Sequence, residues 1–221
     1  MSMNQCGILF DMDELLVDLH EIWTAAETRL LEAMGRSFDP ELARKYKGLN
    51  ARDLAAFVYQ AVRPAGSVTD YQRIMQEALV KEYAGGPIRA MPGAVDLVRR
   101  LRGLAPMAVA SGSPAVGIDR AMTRLGIRDC FDNIISSEAV ARGKPYPDVF
   151  LAAAAMLGAT PSRCLVFEDS IHGVRAAIAG GMKVFCLPSD PADSFDGLAT
   201  RVFKSLADVT VDDVRAALGK L

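Results

Sequence analysis

The sequence is poor in the residues that usually form zinc and disulfide sites. Its 221 residues include four cysteines and two histidines, and no two cysteines form a C-x-x-C pair. We therefore expect no zinc site and predict that Cys6, Cys130, Cys164 and Cys186 are free thiols. Three of them lie in or beside apolar runs, where a free cysteine behaves as a small hydrophobic residue. A reducing, cytoplasmic setting is the expectation that follows.

The chain also lacks a strong charge imbalance and a long hydrophobic run. Lys and Arg (25) nearly balance Asp and Glu (27), the formal net charge is −2, and no basic run suggests a nucleic-acid partner. No apolar segment is long enough to cross a membrane, and the first residues lack the basic start and cleavage site of a signal peptide. We expect neither nucleic acid nor membrane as a partner, and the sequence carries no signal for an oligomeric state.

Alternating apolar and helical segments are what the sequence does contain. Helical patterns from position 91 onward separate short apolar runs, which together with the first run occupy 8–10, 107–110, 133–135, 164–167 and 183–187. Continuous apolar strands that alternate with helices predict a parallel sheet covered on both faces. The predicted fold class is therefore α/β, with a Rossmann-like parallel sheet core and helices on both faces.

Only helical patterns lie between the first two predicted strands. They occupy residues 22–34, 40–46, 52–62 and 70–83, and a glycine–proline hinge follows at 85–87. We therefore predict two domains. The core comprises residues 1–17 and 88–221, and an inserted α-helical cap domain comprises residues 18–87.

The first strand ends in Asp11-Met12-Asp13, the most informative stretch of the chain. Residues two apart on an extended chain point the same way, so both carboxylates can face one small space. Two such charges at about 4 Å repel by about 4 kcal/mol if the effective dielectric is near 20. A cation between them, a proton on one of them, or exposure of both to water would relieve this repulsion. The last option is an ordinary acidic turn.

Three further predicted strands are also followed by polar residues, at the sheet edge where open parallel sheets bind ligands. Ser111 and Gly112 could hold a phosphate or simply cap a helix. Lys144 lies in a proline-stiffened loop, where it could neutralise an anion or be merely solvated. Glu168 and Asp169 could start a helix or complete an oxygen-rich site with Asp11 and Asp13, which would suit Mg²⁺ better than zinc.

Together these residues resemble the four motifs of the haloacid dehalogenase-like hydrolase superfamily. Asp11-Met12-Asp13 matches the first motif, Ser111 the second, Lys144 the third and Glu168-Asp169 the fourth. The runs at 144–150 and 167–173 are similar to the subgroup that contains beta-phosphoglucomutase and small sugar-phosphate phosphatases. Members of that subgroup carry a helical cap inserted after the first motif.

The resemblance implies a Mg²⁺-dependent phosphatase that hydrolyses a small phosphorylated metabolite, expected to be a sugar phosphate, through an aspartyl-phosphate. Asp11 would be the nucleophile and Asp13 the acid and base, while Ser111 and Lys144 would stabilise the transferring phosphoryl group. An acid at position 13 argues against dehalogenation. The implied metal ligands are Asp11, Asp13, Glu168 and Asp169. The implied phosphate- and substrate-binding residues are Met12, Ser111, Gly112, Lys144, Trp23, Lys47, Gly48 and Arg52.

Two positions depart from the family pattern, and they bear on the alternatives. Glu14 stands where the family has glycine, and Leu19 stands where it has serine or threonine. Both keep open a weakly catalytic regulatory member of the family. A phosphomutase of the beta-phosphoglucomutase type is the second alternative, disfavoured by Trp23, since the mutase has histidine there. Trp23 could also be a packing residue, and Lys47 or Arg52 a solvated cap residue.

Overall fold

The structure, a computed structural model, describes residues 5–189, 195 and 197–219. Its strands are β1 (Gln5–Phe10), β2 (Val17–Asp18), β3 (Arg89–Ala90), β4 (Met107–Ser111), β5 (Asn133–Ser136), β6 (Ala159–Glu168), β7 (Lys183–Cys186) and β8 (Arg201–Val202). Six of them form one sheet in the order β5-β4-β1-β6-β7-β8, and each neighbouring pair is parallel. The predicted α/β class is confirmed, and the first strand lies inside the sheet.

The helices are α1 (His20–Ala33), α2 (Pro40–Tyr46), α3 (Ala51–Val62), α4 (Val68–Gly85), α5 (Ala94–Leu101), α6 (Ala115–Arg124), α7 (Asp148–Met156), α8 (Ile171–Ala179) and α9 (Val211–Leu218). Helices α1 to α4 follow one another between β2 and β3, as the helical patterns predict. Side chains of Asp39, Asn50 and Ser67 cap the first turns of α2, α3 and α4. The division into a core and a cap domain at 18–87 stays a prediction.

The core lies on both faces of the sheet, which explains why β1 is apolar without alternation. Ile8 and Phe10 pack into one cluster, with residues of α5, α6 and α9. Leu9 packs into a second cluster, with residues of α7 and α8. Successive side chains of a strand point to opposite faces, so helices on both sides require apolar residues at every position. All three side chains are fully buried.

Some elements carry no sequence signal that would have predicted them. The pair β2–β3 is only two residues long on each side, with Val17 opposite Ala90. Strand β8 is also two residues long, and both of its residues are exposed, so no apolar run marks it. Strand β6 begins at Ala159, ahead of the predicted start at 164. The first half of this strand is polar and partly exposed, so no apolar run in the sequence indicates it.

Two expectations drawn from what the sequence lacks can be compared with the structure. All four cysteines are reduced thiols, and Cys6, Cys164 and Cys186 are buried. Among the described residues, no helix combines the length and the apolar character that a membrane span needs.

Candidate active site

The carboxyl ends of two neighbouring strands, β1 and β6, bring the acidic residues together. In the register of the sheet, Phe10 of β1 lies beside Val109 of β4 and Phe167 of β6. The backbone N–H of Asp11 donates to the carbonyl of Phe167 at 3.0 Å. Asp11 and Glu168 therefore leave adjacent parallel strands at the same edge, and the close approach follows from strand pairing.

Lys144 lies between two of these acids. Its Nζ donates to Asp11 Oδ1 and to Glu168 Oε1, at 2.6 Å in both cases. Lys144 and Asp11 are each 4% exposed and Glu168 is fully buried, so water screens these charges little. The ammonium also lies 4.9 Å from the centre of the Phe150 ring. The loop that follows β5 thus delivers one fixed positive charge to a buried group of carboxylates.

One positive charge does not fully compensate this group. Burial raises the pKa of Asp11 to about 8, against the lowering effect of Lys144. Burial, followed by the charges of Glu168 and Asp11, raises the pKa of Asp169 well above its ordinary value. Burial alone would lower the pKa of Lys144, but Asp11 and Glu168 raise it. The site therefore favours a further positive charge.

The residues present fit a small divalent cation. Asp11, Glu168 and Asp169 each offer one carboxylate oxygen, and these atoms lie within 4.8 Å of one another. Both oxygens of Glu168 are already engaged, because Oε2 accepts from the backbone N–H groups of Asp169 and Ser170, each at 2.8 Å. An all-oxygen donor set of buried carboxylates suits Mg²⁺. Asp11 and Asp169 could be ligands, with Glu168 orienting Lys144.

Asp13 forms a separate hydrogen-bond network that joins the sheet edge to the helices α1 and α4. Its Oδ2 accepts from Ser111 Oγ at 2.8 Å, and its Oδ1 accepts from Ser113 Oγ at 2.7 Å. Tyr83 Oη and Trp23 Nε1 also donate to Oδ1, at 3.2 and 3.3 Å. Ser111 thus contacts Asp13 directly. Asp11 and Asp13 leave one strand end with different partners, one an ammonium and the other hydroxyl and indole groups.

Sequence reasoning missed the part that Tyr83 plays in this network. Tyr83 lies on α4, is 1% exposed, and also hydrogen-bonds Ser113 through its hydroxyl at 2.7 Å. A tyrosine in an amphipathic helix usually packs in a core, and no local pattern connects it to Asp13. Only the docking of α4 on the sheet edge brings the two together.

A cavity of about 440 Å³ opens from these carboxylates toward the helices α1 to α3. Asp11, Asp13, Lys144 and Asp169 line one end of it. The residues that line the rest are Glu14, His20, Trp23, Thr24, Glu27, Phe38, Pro40, Ala43, Arg44, Tyr46, Lys47, Gly48, Leu49, Leu54, Gly112 and Ser170. Its volume is within the range of small-molecule sites.

The sequence-predicted substrate residues divide into two groups. Trp23, Lys47, Gly48 and Gly112 line the cavity. Met12 and Ser111 are fully buried and are not lining residues. Arg52 does not line the cavity either, and its Nη2 donates to the carbonyl of Ala141 at 3.1 Å. Glu27 and Arg44 line the cavity although the sequence did not single them out. The sequence does contain a signal for Glu27, because Glu27 lies four residues after Trp23 and therefore on the same face of α1.

Two glycines allow the connection between α2 and α3 to lie close to the loops at the sheet edge. Gly48 has φ +82°, and a Cβ there would lie 2.8 Å from Ser170 Oγ. A Cβ on Gly143 would lie 1.8 Å from Asn50 Nδ2. Gly48 and Ser170 both line the cavity, and a larger side chain at either glycine would force the two facing segments apart.

The two departures from the family pattern contact each other. Glu14 has φ +57°, the left-handed region in which an L-residue is strained. Its Oε1 accepts a hydrogen bond from the backbone N–H of Leu19 at 2.9 Å. Leu19 precedes α1 and cannot cap it with its own side chain. Glu14 thus provides an acceptor for the backbone N–H of Leu19, whereas the first turn of α1 has no side-chain cap at Leu19. Burial raises the pKa of Glu14, and the bond from Leu19 opposes this rise.

A matched pair of variants separates the strain at Glu14 from its hydrogen bond. Glu14→Ala and Glu14→Gly both remove the acceptor for Leu19, but only glycine also relieves the positive φ. We expect Glu14→Ala to be less stable than Glu14→Gly by about 1 kcal/mol. We expect Glu14→Gly to lie within about 0.5 kcal/mol of the wild type, because relief of the backbone strain offsets the lost hydrogen bond. Urea unfolding measures both differences, and equal stabilities for the two variants would contradict this account.

The similarity of this chain to known proteins indicates the family to which it belongs. A family model described as haloacid dehalogenase-like hydrolase matches residues 7–181. A "Probable pseudouridine-5'-phosphatase" of Drosophila melanogaster is 37% identical over 90% of this chain and 89% of its own length. A "Fructose-1-phosphate phosphatase YqaB" of Escherichia coli is 30% identical over 80% of this chain and 93% of its own.

Solved structures show the same architecture. CbbY from Rhodobacter sphaeroides in complex with phosphate has a TM-score of 0.80 and 28% identity, over 91% of this chain and 95% of that chain. A mutant of CbbY in complex with xylulose-(1,5)bisphosphate has a TM-score of 0.80 and 27% identity, over the same shares of the two chains.

Proposed function

Because the chain belongs to the haloacid dehalogenase-like hydrolase family and is a phosphoric monoester hydrolase, we propose that it is a Mg²⁺-dependent phosphatase acting on a small sugar phosphate through an aspartyl-phosphate. The observation that carries this proposal is the bridge from Lys144 to Asp11 and Glu168 at the sheet edge. The named relatives, which act on phosphorylated small molecules, support the substrate class.

In the first step, a carboxylate oxygen of Asp11 attacks phosphorus and the bond from phosphorus to the leaving-group oxygen breaks. Asp13 enters this step in its protonated form and gives its proton to that oxygen. In the second step, Asp13 takes a proton from water as the water oxygen attacks phosphorus, and the bond from phosphorus to Asp11 breaks. Inorganic phosphate and free enzyme result, so atoms and charges balance.

The other residues orient these two acids and neutralise charge. Lys144 holds Asp11 in place and provides a positive charge beside the transferring phosphoryl group. Ser111, Ser113, Tyr83 and Trp23 fix the position of Asp13 through their hydrogen bonds. Mg²⁺, when bound by Asp11 and Asp169 with Glu168 and the backbone carbonyl of Asp13 nearby, supplies further positive charge at the phosphate.

A panel of phosphate esters tests this function. We expect the wild type to release inorganic phosphate from sugar phosphates in the presence of Mg²⁺. Excess EDTA should abolish the release and added Mg²⁺ should restore it, because the buried carboxylates need the cation. The measurement is a colorimetric phosphate assay, with reactions without protein as the control.

Two outcomes of that panel would contradict the proposal. Conversion of hexose 1-phosphate to hexose 6-phosphate without phosphate release would identify a phosphomutase. No Mg²⁺-dependent turnover of any ester would indicate a regulatory or binding protein.

A further inference from the structure

The cavity continues from Asp13 along one face of α1. Trp23 donates to Asp13 through Nε1, and Glu27 follows Trp23 by four residues. Residues four apart lie on one helix face, roughly 6 Å apart along the axis. A leaving group whose ester oxygen lies at Asp13 would therefore extend past Trp23 and reach Glu27 within a few bonds.

Glu27 is an unusual residue for that place. It is 9% exposed, and the apolar residues Phe38, Leu49 and Leu54 also line the cavity. Its hydrogen-bond partner is a neutral phenol, since Tyr46 Oη donates to Glu27 Oε2 at 3.1 Å. Burial raises the pKa of Glu27 to about 7 although the bond from Tyr46 lowers it. A buried carboxylate without a cation costs free energy, which hydrogen-bond donors of a ligand would offset.

From this geometry, and resting on the phosphatase function proposed above, we propose that Glu27 is a specificity-determining residue. Its carboxyl group, held in place by the hydrogen bond from Tyr46, binds hydroxyl groups of a neutral polyol or sugar leaving group at the end of the cavity remote from Asp11. Hydroxyl groups donate to the Glu27 carboxylate, whereas an alkyl chain leaves it without donors. A second phosphate would meet the Glu27 charge with the wrong sign.

Arg44 and Lys47 offer the competing possibility, a leaving group with a second anion. Both line the cavity. The Arg44 side chain is 68% exposed, and its Nη1 lies 3.6 Å from Glu41 Oε1. Water and the Glu41 carboxylate therefore already compensate part of the Arg44 charge. Glu27 is more deeply buried than Arg44 or Lys47, so a carboxyl group left without hydrogen-bond donors there costs more than a solvated cation left without an anion.

Two esters of equal chain length provide the test, sorbitol 6-phosphate with hydroxyl groups and n-hexyl phosphate without them. For Glu27→Met we expect kcat/KM on sorbitol 6-phosphate to fall about 10- to 100-fold, the loss of one hydrogen bond to a charged group. We expect kcat/KM on n-hexyl phosphate to stay within about twofold or to rise. Glu27→Gln retains an acceptor and should recover part of the loss. Glu32→Met, an exposed position on the same helix, is the matched control and should match the wild type.

Calorimetric binding keeps this inference separate from the phosphatase proposal. With Mg²⁺ present, sorbitol 6-phosphate should bind Asp11→Asn about tenfold more tightly than the double variant Asp11→Asn/Glu27→Met. Inorganic phosphate should bind both equally. That result would support Glu27 even if no ester were hydrolysed, in which case only the phosphatase proposal fails.

Three results would overturn the inference. The first is equal binding of sorbitol 6-phosphate by both variants. The second is an equal fall of kcat/KM for both esters in Glu27→Met, which would indicate a structural role. The third is tighter binding of fructose 1,6-bisphosphate than of sorbitol 6-phosphate by Asp11→Asn, which would assign this end of the cavity to a second anion.

Discussion

Replacing Asp11 with asparagine is expected to lower kcat for phosphate release at least about 10³-fold, because an amide oxygen is a poor nucleophile and cannot form the phosphoenzyme. The fold should survive, since the amide oxygen can still accept the hydrogen bond that Lys144 Nζ donates to Asp11 Oδ1. The substitution also removes a carboxylate whose pKa burial raises to about 8. The thermal midpoint is therefore expected to stay at or above that of the wild type.

Phosphate release and mass spectrometry of acid-quenched protein measure these effects. The wild type should show a phosphorylated Asp11 peptide, and Asp11→Asn should not. Asp212→Asn is the matched control, because the Asp212 side chain is 88% exposed. Residual turnover near the wild-type rate in Asp11→Asn would exclude Asp11 as the nucleophile.

Replacing Lys144 with methionine is expected to destabilise the metal-free protein by about 3–5 kcal/mol, the range found when one partner of a buried ion pair is removed. Both carboxylates that accept from Lys144 are buried, so neither can recover its solvation. Activity should fall as well, because the phosphoryl group loses a fixed cation.

The pH dependence of this loss has a definite sign. Even beside Lys144, burial raises the pKa of Asp11 to about 8, and without the lysine this pKa rises further. A raised folded-state pKa means that the folded protein holds the proton more tightly, so its stability falls as pH rises. Lys144→Met should therefore lose more stability at about pH 9 than at about pH 6.

Denaturant unfolding in EDTA at both pH values measures this difference. Lys204→Met is the matched control, because Lys204 is exposed and its removal should change stability by less than about 0.5 kcal/mol. A stability of Lys144→Met equal to that of the wild type, or a loss independent of pH, would contradict the role of Lys144 as the buried counter-charge.

Much of the fold was predictable because its elements carry local signals. The run Ile8-Leu9-Phe10 is apolar at every position, and the structure gives the reason, since helices cover both faces of β1. The two-residue strands β2, β3 and β8 were not predictable. A strand that short is held by its neighbour, as Val17 is by Ala90, and its own sequence has no periodicity to detect.

The candidate site likewise contains residues that the sequence could locate and residues that it could not. The acids Asp11 and Asp169 directly follow strands, so the rule that ligands bind at carboxyl ends locates them from the sequence. The positions of the residues on helices α1 to α3 relative to the cavity could not be predicted from the sequence. Arg52, predicted to bind substrate, does not line the cavity and donates to the carbonyl of Ala141, whereas Glu27 lines the cavity although the sequence did not single it out. Helix periodicity predicts which residues share a face, but not which face turns toward the cavity.

By itself the sequence determined the α/β class, the order of the helices and longer strands along the chain, and the acids, serine and lysine that follow the strands. These features are local, because they depend on the spacing of apolar residues and on which residues terminate each run. Only the tertiary structure decided that Lys144 bridges Asp11 and Glu168, that Tyr83 reaches Asp13, and that Glu27 faces the cavity. Each of these contacts joins segments far apart in the chain, and its geometry depends on how helices dock against the sheet, which no short stretch of sequence encodes.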